Sequence, residues 1–260
     1  MTLWQAALLG VLQGLTEFLP VSSSGHLALA QLLIPGFSQP GVVFDAMLHV
    51  GTAVAVVWFE RRRIVEWASN AAGRRVLALL VIGTAATAAV AFPLHRMAIA
   101  AFHRPVWVGA ALIVTGCVVA ATRLLPGGPS GETDTGWRQA AAVGLAQGLA
   151  VFPGLSRSGM TIAAGLGSGM EREWAARFSF LLAVPAIAGA TAIEVAFTWD
   201  GGDGLSTAFA AACLLGSVCA GVTGYYALRV VIKTVTSRVF HRFGWYALPL
   251  GVAAVLWGLR

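Results

Sequence analysis

Two short polar stretches interrupt an otherwise apolar chain. The first, EFLPVSSSGH at residues 17–26, gathers a carboxylate (Glu17), three hydroxyls (Ser22, Ser23, Ser24) and an imidazole (His26). The second, FPGLSRSGMT at 152–161, sets Arg157 between Ser156 and Ser158, with Pro153 and Gly154 before them and Thr161 after. These residue types suit chemistry on an anion. A seryl nucleophile needs a base within hydrogen-bond reach, and Glu17 or His26 could be that base. Ser23 and His26 are three positions apart, so they share a face if a helix has started by then. Glu17 precedes Pro20 and approaches His26 only through the bend. A helix that restarts after Pro153-Gly154 offers free N–H groups and about half a positive charge. Arg157 adds a permanent charge with a fork of donors. The hydroxyls of Ser156, Ser158 and Thr161 can donate to the same anion, and phosphate is the natural guest. Two such helix starts facing each other would suit a guest with two phosphates.

Each piece also has a plainer use. Serines at a break cap helices, an arginine can snorkel to an interface, and a histidine can be a satisfied packing residue. Against the plain use of Arg157 stands its cost, since ionisable groups inside a membrane segment are functional by default. Asp45 and His49 are candidates to support the site from behind, although Asp45 sits where it could simply cap a helix. Glu194 reads as interfacial, and His95, His103 and His241 lie near loops.

The surroundings are membrane. Of the 260 residues, 58% are hydrophobic and 11% charged, against about 25% charged in soluble domains. Spans of roughly 20 apolar residues are expected at 76–97, 106–125, 178–197 and 207–232, with shorter ones at 44–59 and 244–259. The N-terminus lacks the basic region of a cleaved signal peptide. Cys117, Cys213 and Cys219 are dispersed without metal spacing and read as core filler. The net charge of +6 does not indicate nucleic acid, because the basic residues form short clusters between spans rather than a stripe. Arg61, Arg62, Arg63, Arg74, Arg75, Arg123, Arg138, Arg172, Arg177, Arg229, Lys233, Arg238 and Arg242 all fall on one side, expected to be cytoplasmic. Arg96, Arg104, Arg260 and the acidic loop at 199–204 fall on the other.

The two broken stretches, 1–34 and 139–170, match at a constant offset of 134: Gly10, Gln13, Gly14, Leu15, Phe18, Ser22, Ser24 and Gly25 align with Gly144, Gln147, Gly148, Leu149, Phe152, Ser156, Ser158 and Gly159. Three spans separate the copies, and an odd number of crossings inverts the second. The expected fold is a single all-α polytopic membrane domain over 1–260. It has about six transmembrane helices and two re-entrant helix pairs, in inverted repeats of approximately 1–60 and 139–197. Such repeats place functional sites at their helix breaks.

Together the motifs resemble the undecaprenyl-diphosphate phosphatase family of the bacitracin-resistance type. Gln13, Glu17, Pro20, Ser22, Ser23, Gly25 and His26 match its first segment. Pro153, Gly154, Ser156, Arg157, Ser158 and Thr161 match its second. The resemblance implies hydrolysis of the C55 polyprenyl diphosphate carrier to its monophosphate and inorganic phosphate. That activity recycles the lipid for peptidoglycan synthesis and confers bacitracin resistance. It also implies a multi-pass protein of the bacterial plasma (inner) membrane whose site opens to the outer side. On this reading Glu17, Ser23, His26 and Arg157 are catalytic, while Gln13, Ser22, Ser24, Gly154, Ser156, Ser158 and Thr161 bind substrate. A divalent cation, Mg²⁺ or Ca²⁺, is expected on Glu17. With Gln13 at the first acidic position, a cation held by paired acids is in doubt, but Glu17 plus substrate phosphates would suffice for an ion that keeps its waters. The implied partners are the lipid substrate and the bilayer, with a homodimer allowed. Two rivals remain from the residues alone. An inverted-repeat transporter or lipid flippase explains the fold but not the gathered hydroxyl, carboxylate and imidazole, and a membrane scaffold explains neither break.

Overall fold

The computed structural model describes residues 1–34, 42–102, 104–198 and 206–259. His103, the loop at 199–204 and Arg260 lie outside the described residues, as does the side chain of Glu194. Ten α-helices follow in order: α1 (Leu3–Phe18), α2 (Ser23–Leu33), α3 (Val42–Ser69), α4 (Ala71–Phe102), α5 (Pro105–Ala121), α6 (Trp137–Leu149), α7 (Arg157–Gly167), α8 (Arg172–Thr198), α9 (Thr207–Thr236) and α10 (Gly244–Gly258). Large apolar side chains such as Val54, Val81, Phe92, Leu214 and Leu256 face outward, as a lipid-facing surface requires.

Among the described residues five helices, α3, α4, α5, α8 and α9, are long and apolar enough to cross a membrane. α10 has 15 residues, about 22 Å, short of a hydrocarbon core of about 30 Å. The 3-10 turn Phe240–Phe243 before it carries His241 and Arg242. Several helices overrun their apolar cores. α3 continues through Arg61–Arg63 to Ser69. α8 begins at Arg172 and so contains Arg177, expected ahead of the span. The reason is a buried charge network. The Glu60 side chain is 1% exposed, pairs with Arg177, and lies 3.5 Å from Arg63 Nε. Charged turns closed by partners stay helical where hydropathy alone would end the span. Of the three cysteines only Cys213 is buried, and Cys117 is exposed, so core filling describes one of them.

α1, α2, α6 and α7 are short, at 16, 11, 13 and 11 residues, and each falls below membrane thickness. α1 starts with a capping box in which the Thr2 and Gln5 side chains cover each other's backbone N–H. It stops because Leu19 precedes Pro20 and is extended, φ −68°, ψ 144°, as pre-proline residues prefer. Ser22 then takes φ +67°, a left-handed conformation uncommon outside glycine. In the second pair, Gly154 turns the chain at φ +96°, and a Cβ there would sit 2.3 Å from the Val108 carbonyl oxygen. Ser156 caps α7 by accepting from Gly159 N–H at 3.2 Å.

Equivalent helices make equivalent contacts. α1 packs on α9 as α6 packs on α4, while α3 meets α8 and α5 meets α10. The close approaches correspond. A Cβ on Gly10 would lie 2.3 Å from the Gly216 carbonyl oxygen, and one on Gly144 would lie 2.2 Å from that of Gly83. Such spacing needs residues without side chains.

Candidate active site

The two breaks meet. Ser158 Oγ donates to the Leu19 carbonyl at 3.1 Å, tying the start of α7 to the end of α1. Ser156 N–H donates to Thr115 Oγ1, which itself donates to the Gly154 carbonyl, both at 2.9 Å. Phe18 packs edge-on against Phe180, with centroids 5.5 Å apart, and fixes the last turn of α1 on α8.

Glu17, in that last turn, is 7% exposed and organises the site. Arg157 Nη2 lies 2.5 Å from its Oε1. On its Oε2, Ser23 Oγ donates at 2.7 Å and Gln13 Nε2 at 2.9 Å. The same Gln13 nitrogen is 2.9 Å from His49 Nδ1, which lies 3.5 Å from Glu17 Oε2. A primary amide has two protons, so Gln13 bridges carboxylate and imidazole. The Arg157 guanidinium also rests 5.8 Å over the Phe18 ring, and its Nη1 is 3.5 Å from the Ser179 carbonyl. A buried carboxylate demands such pairing.

Glu17, Ser23 and Arg157 therefore converge as the motif spacing suggests, with Gln13 beside them. His26 does not join them. Its Nδ1 lies 2.8 Å from the Ser22 carbonyl and its Nε2 2.8 Å from the Tyr246 hydroxyl. Among the described residues no hydrogen bond links it to Ser23 or Glu17. The candidate base next to Ser23 is the carboxylate, because the bend brings Glu17 onto the first turn of α2. Ser158 and Thr161 are fully buried and engaged by protein partners. Thr161 Oγ1 donates to the Arg157 carbonyl at 2.7 Å and contacts Ser179 Oγ at 2.5 Å, so both hydroxyls hold the Arg157 turn in place. Ser22 caps nothing with its side chain. Its Oγ lies 3.3 Å from that of Ser24, an arrangement repeated at 3.2 Å by Ser156 and Ser158. Asp45 accepts from Gln31 Nε2 at 3.0 Å.

A divalent cation fits only with help from its ligand. Among the described residues no three His, Cys, Asp or Glu side chains form a metal-binding group, and both oxygens of Glu17 have partners. The remaining donor is Gln13 Oε1, a buried carbonyl oxygen without a hydrogen-bond partner. Its amide orientation is set by the acceptors Glu17 and His49. Gln147, at the matching position of the second half, has the same orphan oxygen, but its nitrogen donates to Thr87 Oγ1 and the Leu182 carbonyl, so Glu17 is what distinguishes the Gln13 site. An ion that keeps most of its waters and takes phosphate oxygens suits such a set.

His49 stands beside Glu17, in keeping with its candidacy to support the site, whereas the sequence carried no sign of Ser179, Thr115 or Tyr246. Each reaches the site from a helix distant in sequence.

A polytopic helical membrane protein with a hydroxyl, carboxylate and guanidinium linked at two apposed helix breaks defines a class of intramembrane enzyme acting on phosphorylated lipid. The family model described as "Bacitracin resistance protein BacA" matches residues 6–253, and the chain belongs to this family. Its relatives include proteins named "Undecaprenyl-diphosphatase". That of Desulforapulum autotrophicum is 41% identical over 99% of each chain. That of Desulfosudis oleivorans is 40% identical over 98% of each. That of Syntrophotalea carbinolica is 41% identical over 96% of this chain and 97% of its own.

Proposed function

We propose that the chain hydrolyses undecaprenyl diphosphate to undecaprenyl phosphate and inorganic phosphate, recycling the carrier lipid and conferring bacitracin resistance. The observation that carries this is Ser23 Oγ, 2.7 Å from a carboxylate whose other oxygen is paired to Arg157. Nucleophile, base and phosphate-binding charge form one connected unit.

On this reading Ser23 Oγ attacks the terminal phosphorus, and its proton passes to Glu17 Oε2. The P–O bond to the bridging oxygen breaks, and the lipid monophosphate leaves as an anion. Protonation of Glu17 removes the charge that holds Arg157, so the guanidinium is released toward the transferring phosphoryl group as its charge develops. Positioning and electrostatics of this kind are most of what phosphoryl transfer requires. Glu17 gives the serine proton up to the departing monophosphate; water then attacks the phosphoserine as Glu17 takes its proton, the P–Oγ bond breaks to release inorganic phosphate, and Glu17 returns the proton to Ser23 Oγ. A cation held by Gln13 Oε1, Glu17 and substrate oxygens would offset phosphate charge. Direct attack by water activated by Glu17 is the competing route.

We place the protein in the bacterial plasma membrane with the site opening outward, on two inverted repeats of approximately 1–60 and 139–197. The convergence of basic residues supports this sidedness. Arg63 pairs with Glu132, Arg75 donates to the Thr133 and Thr135 carbonyls, and Arg172 donates to those of Pro126 and Val235. They gather at the end that carries the 126–136 loop, as a cytoplasmic face should. The test is phosphate release from undecaprenyl diphosphate by purified protein with Mg²⁺ or Ca²⁺. No release with either ion, together with solute uptake into liposomes, would favour a transporter.

A further inference from the structure

At the end of the molecule that carries the 126–136 loop, the acids neutralise some arginines and leave others bare. Glu60 pairs with Arg177 and lies 3.5 Å from Arg63, Glu132 pairs with Arg63, and Glu173 pairs with Arg177 at 2.8 Å. Arg75 and Arg172 turn inward onto backbone carbonyls. Arg61 and Arg62 on α3, and Arg229 and Lys233 on α9, are exposed. Among the described residues none of the four forms an ion pair. The acid on these turns outside the internal pairs is Glu66, which is exposed and forms no ion pair either.

Two of these arginines rest on aromatic rings instead. The Arg61 guanidinium lies 4.4 Å from the centre of the Trp58 ring and donates to the Trp58 carbonyl at 2.7 Å. That of Arg229 lies 4.7 Å from the centre of the Tyr225 ring and donates to its hydroxyl at 2.8 Å. Tyr225 in turn meets Phe59 of α3 edge-on, with centroids 5.7 Å apart, so α3 and α9 stand side by side at this level. Trp58 and Tyr226 are 60% and 59% exposed, and Val54, Val57 and Val222 before them are exposed as well. Each helix therefore runs from apolar to aromatic to basic, the order of hydrocarbon, interface and headgroup layer. A stacked guanidinium is held in place with most of its five N–H donors free for a ligand.

We propose that the adjoining ends of α3 and α9, through Arg61, Arg62 and Arg229, bind the phosphate headgroup of an anionic phospholipid in the leaflet they border, with its acyl chains along Val54, Val57 and Val222. Charge selects the occupant. These turns set Arg61, Arg62, Arg229 and Lys233 against Glu66 alone, an excess that attracts a net negative headgroup and offers nothing to the ammonium of a zwitterionic one. Guanidinium forks also match phosphate oxygens with paired hydrogen bonds. The lipid lies on the outer surface of the helices and plays no part in the chemistry at Glu17, so the proposal is independent of the phosphatase reading.

The test is lipid binding by the full-length protein in detergent, read by native mass spectrometry with phosphatidylglycerol and phosphatidylcholine as probes. Wild type is expected to hold phosphatidylglycerol the more tightly. An arginine near an anionic surface contributes about fivefold, so the combined Arg61→Gln, Arg62→Gln and Arg229→Gln variant is expected to lose at least about tenfold in phosphatidylglycerol affinity. Its affinity for phosphatidylcholine should not change. A second triple variant, Arg74→Gln, Arg123→Gln and Arg242→Gln, removes equal charge from the same end and is expected to lose less than about threefold. Thermal unfolding gives an independent reading: phosphatidylglycerol should raise the midpoint of wild type and of the second triple variant, but not that of the first. Equal losses in the two triple variants would show diffuse attraction without a site and overturn the proposal. Wild-type phosphatidylglycerol affinity in the first triple variant, or a wild type that does not distinguish the two lipids, would overturn it as well. None of these results touches the phosphatase reading, which stands or falls on phosphate release from a prenyl diphosphate.

Discussion

Arg157 and Glu17, 140 residues apart in sequence, meet across the two helix breaks at 2.5 Å. Each is a costly charge inside a membrane protein, and each is made tolerable by the other. The pairing also makes them interdependent, because loss of either leaves the other buried and uncompensated. Arg157→Ala and Glu17→Ala are each expected to lower phosphate release by at least about 100-fold, typical of a charge-stabilising donor or an acid–base group. Arg157→Lys should fall well below wild type, because a point charge cannot reproduce the guanidinium fork. Steady-state phosphate release checks all three, and near-normal rates would remove the residue concerned from the mechanism.

The hydroxyl on Glu17 decides between the two routes. If Ser23 is the nucleophile, rapid quenching with terminally labelled diphosphate traps label on Ser23, and Ser23→Ala loses at least about 100-fold in kcat. Full activity in Ser23→Ala would instead assign the attack to water.

Gln13 offers a test of the cation. Gln13→Glu supplies a second carboxylate beside Glu17 and removes the amide that bridges to His49. The half-saturating Mg²⁺ concentration is expected to fall about tenfold, since added ligand charge tightens hard-cation sites. An unchanged metal titration curve would place the cation on the substrate alone.

Two structural variants should act on stability and leave the site untouched. Gly144→Ala forces a Cβ to within 2.2 Å of the Gly83 carbonyl oxygen and should cost about 1–3 kcal/mol as an overpacking substitution. Arg177→Met leaves Glu60 buried without its main partner and should cost about 3–5 kcal/mol. Thermal unfolding in detergent reads both. Unchanged midpoints would mean that these helix contacts are looser than described.

The helix breaks were legible because Pro20, Pro153 and Gly154 forbid a continuous helix locally, and local sterics survive in any context. Ser23, Glu17 and Arg157 were legible for a related reason, since polar groups stand out in an apolar chain. The direction in which His26 points was not, because it depends on Tyr246, 220 residues away. The pairing of Glu60 with Arg177 was hidden in the same way. A charged cluster at the edge of an apolar run looks solvated until the helix facing it is known. No periodicity announces the 3-10 turn that precedes α10.

The glycines, glutamines and paired serines that recur between the halves build the same bent scaffold twice. The reactive groups stand where the copies differ: opposite Glu17 is Val151, opposite Ser23 is Arg157, opposite His26 is Met160 and opposite His49 is Ala183. A frame built twice therefore carries one set of polar groups, gathered in one cleft. The repetition is one of backbone frame and the asymmetry one of side chains.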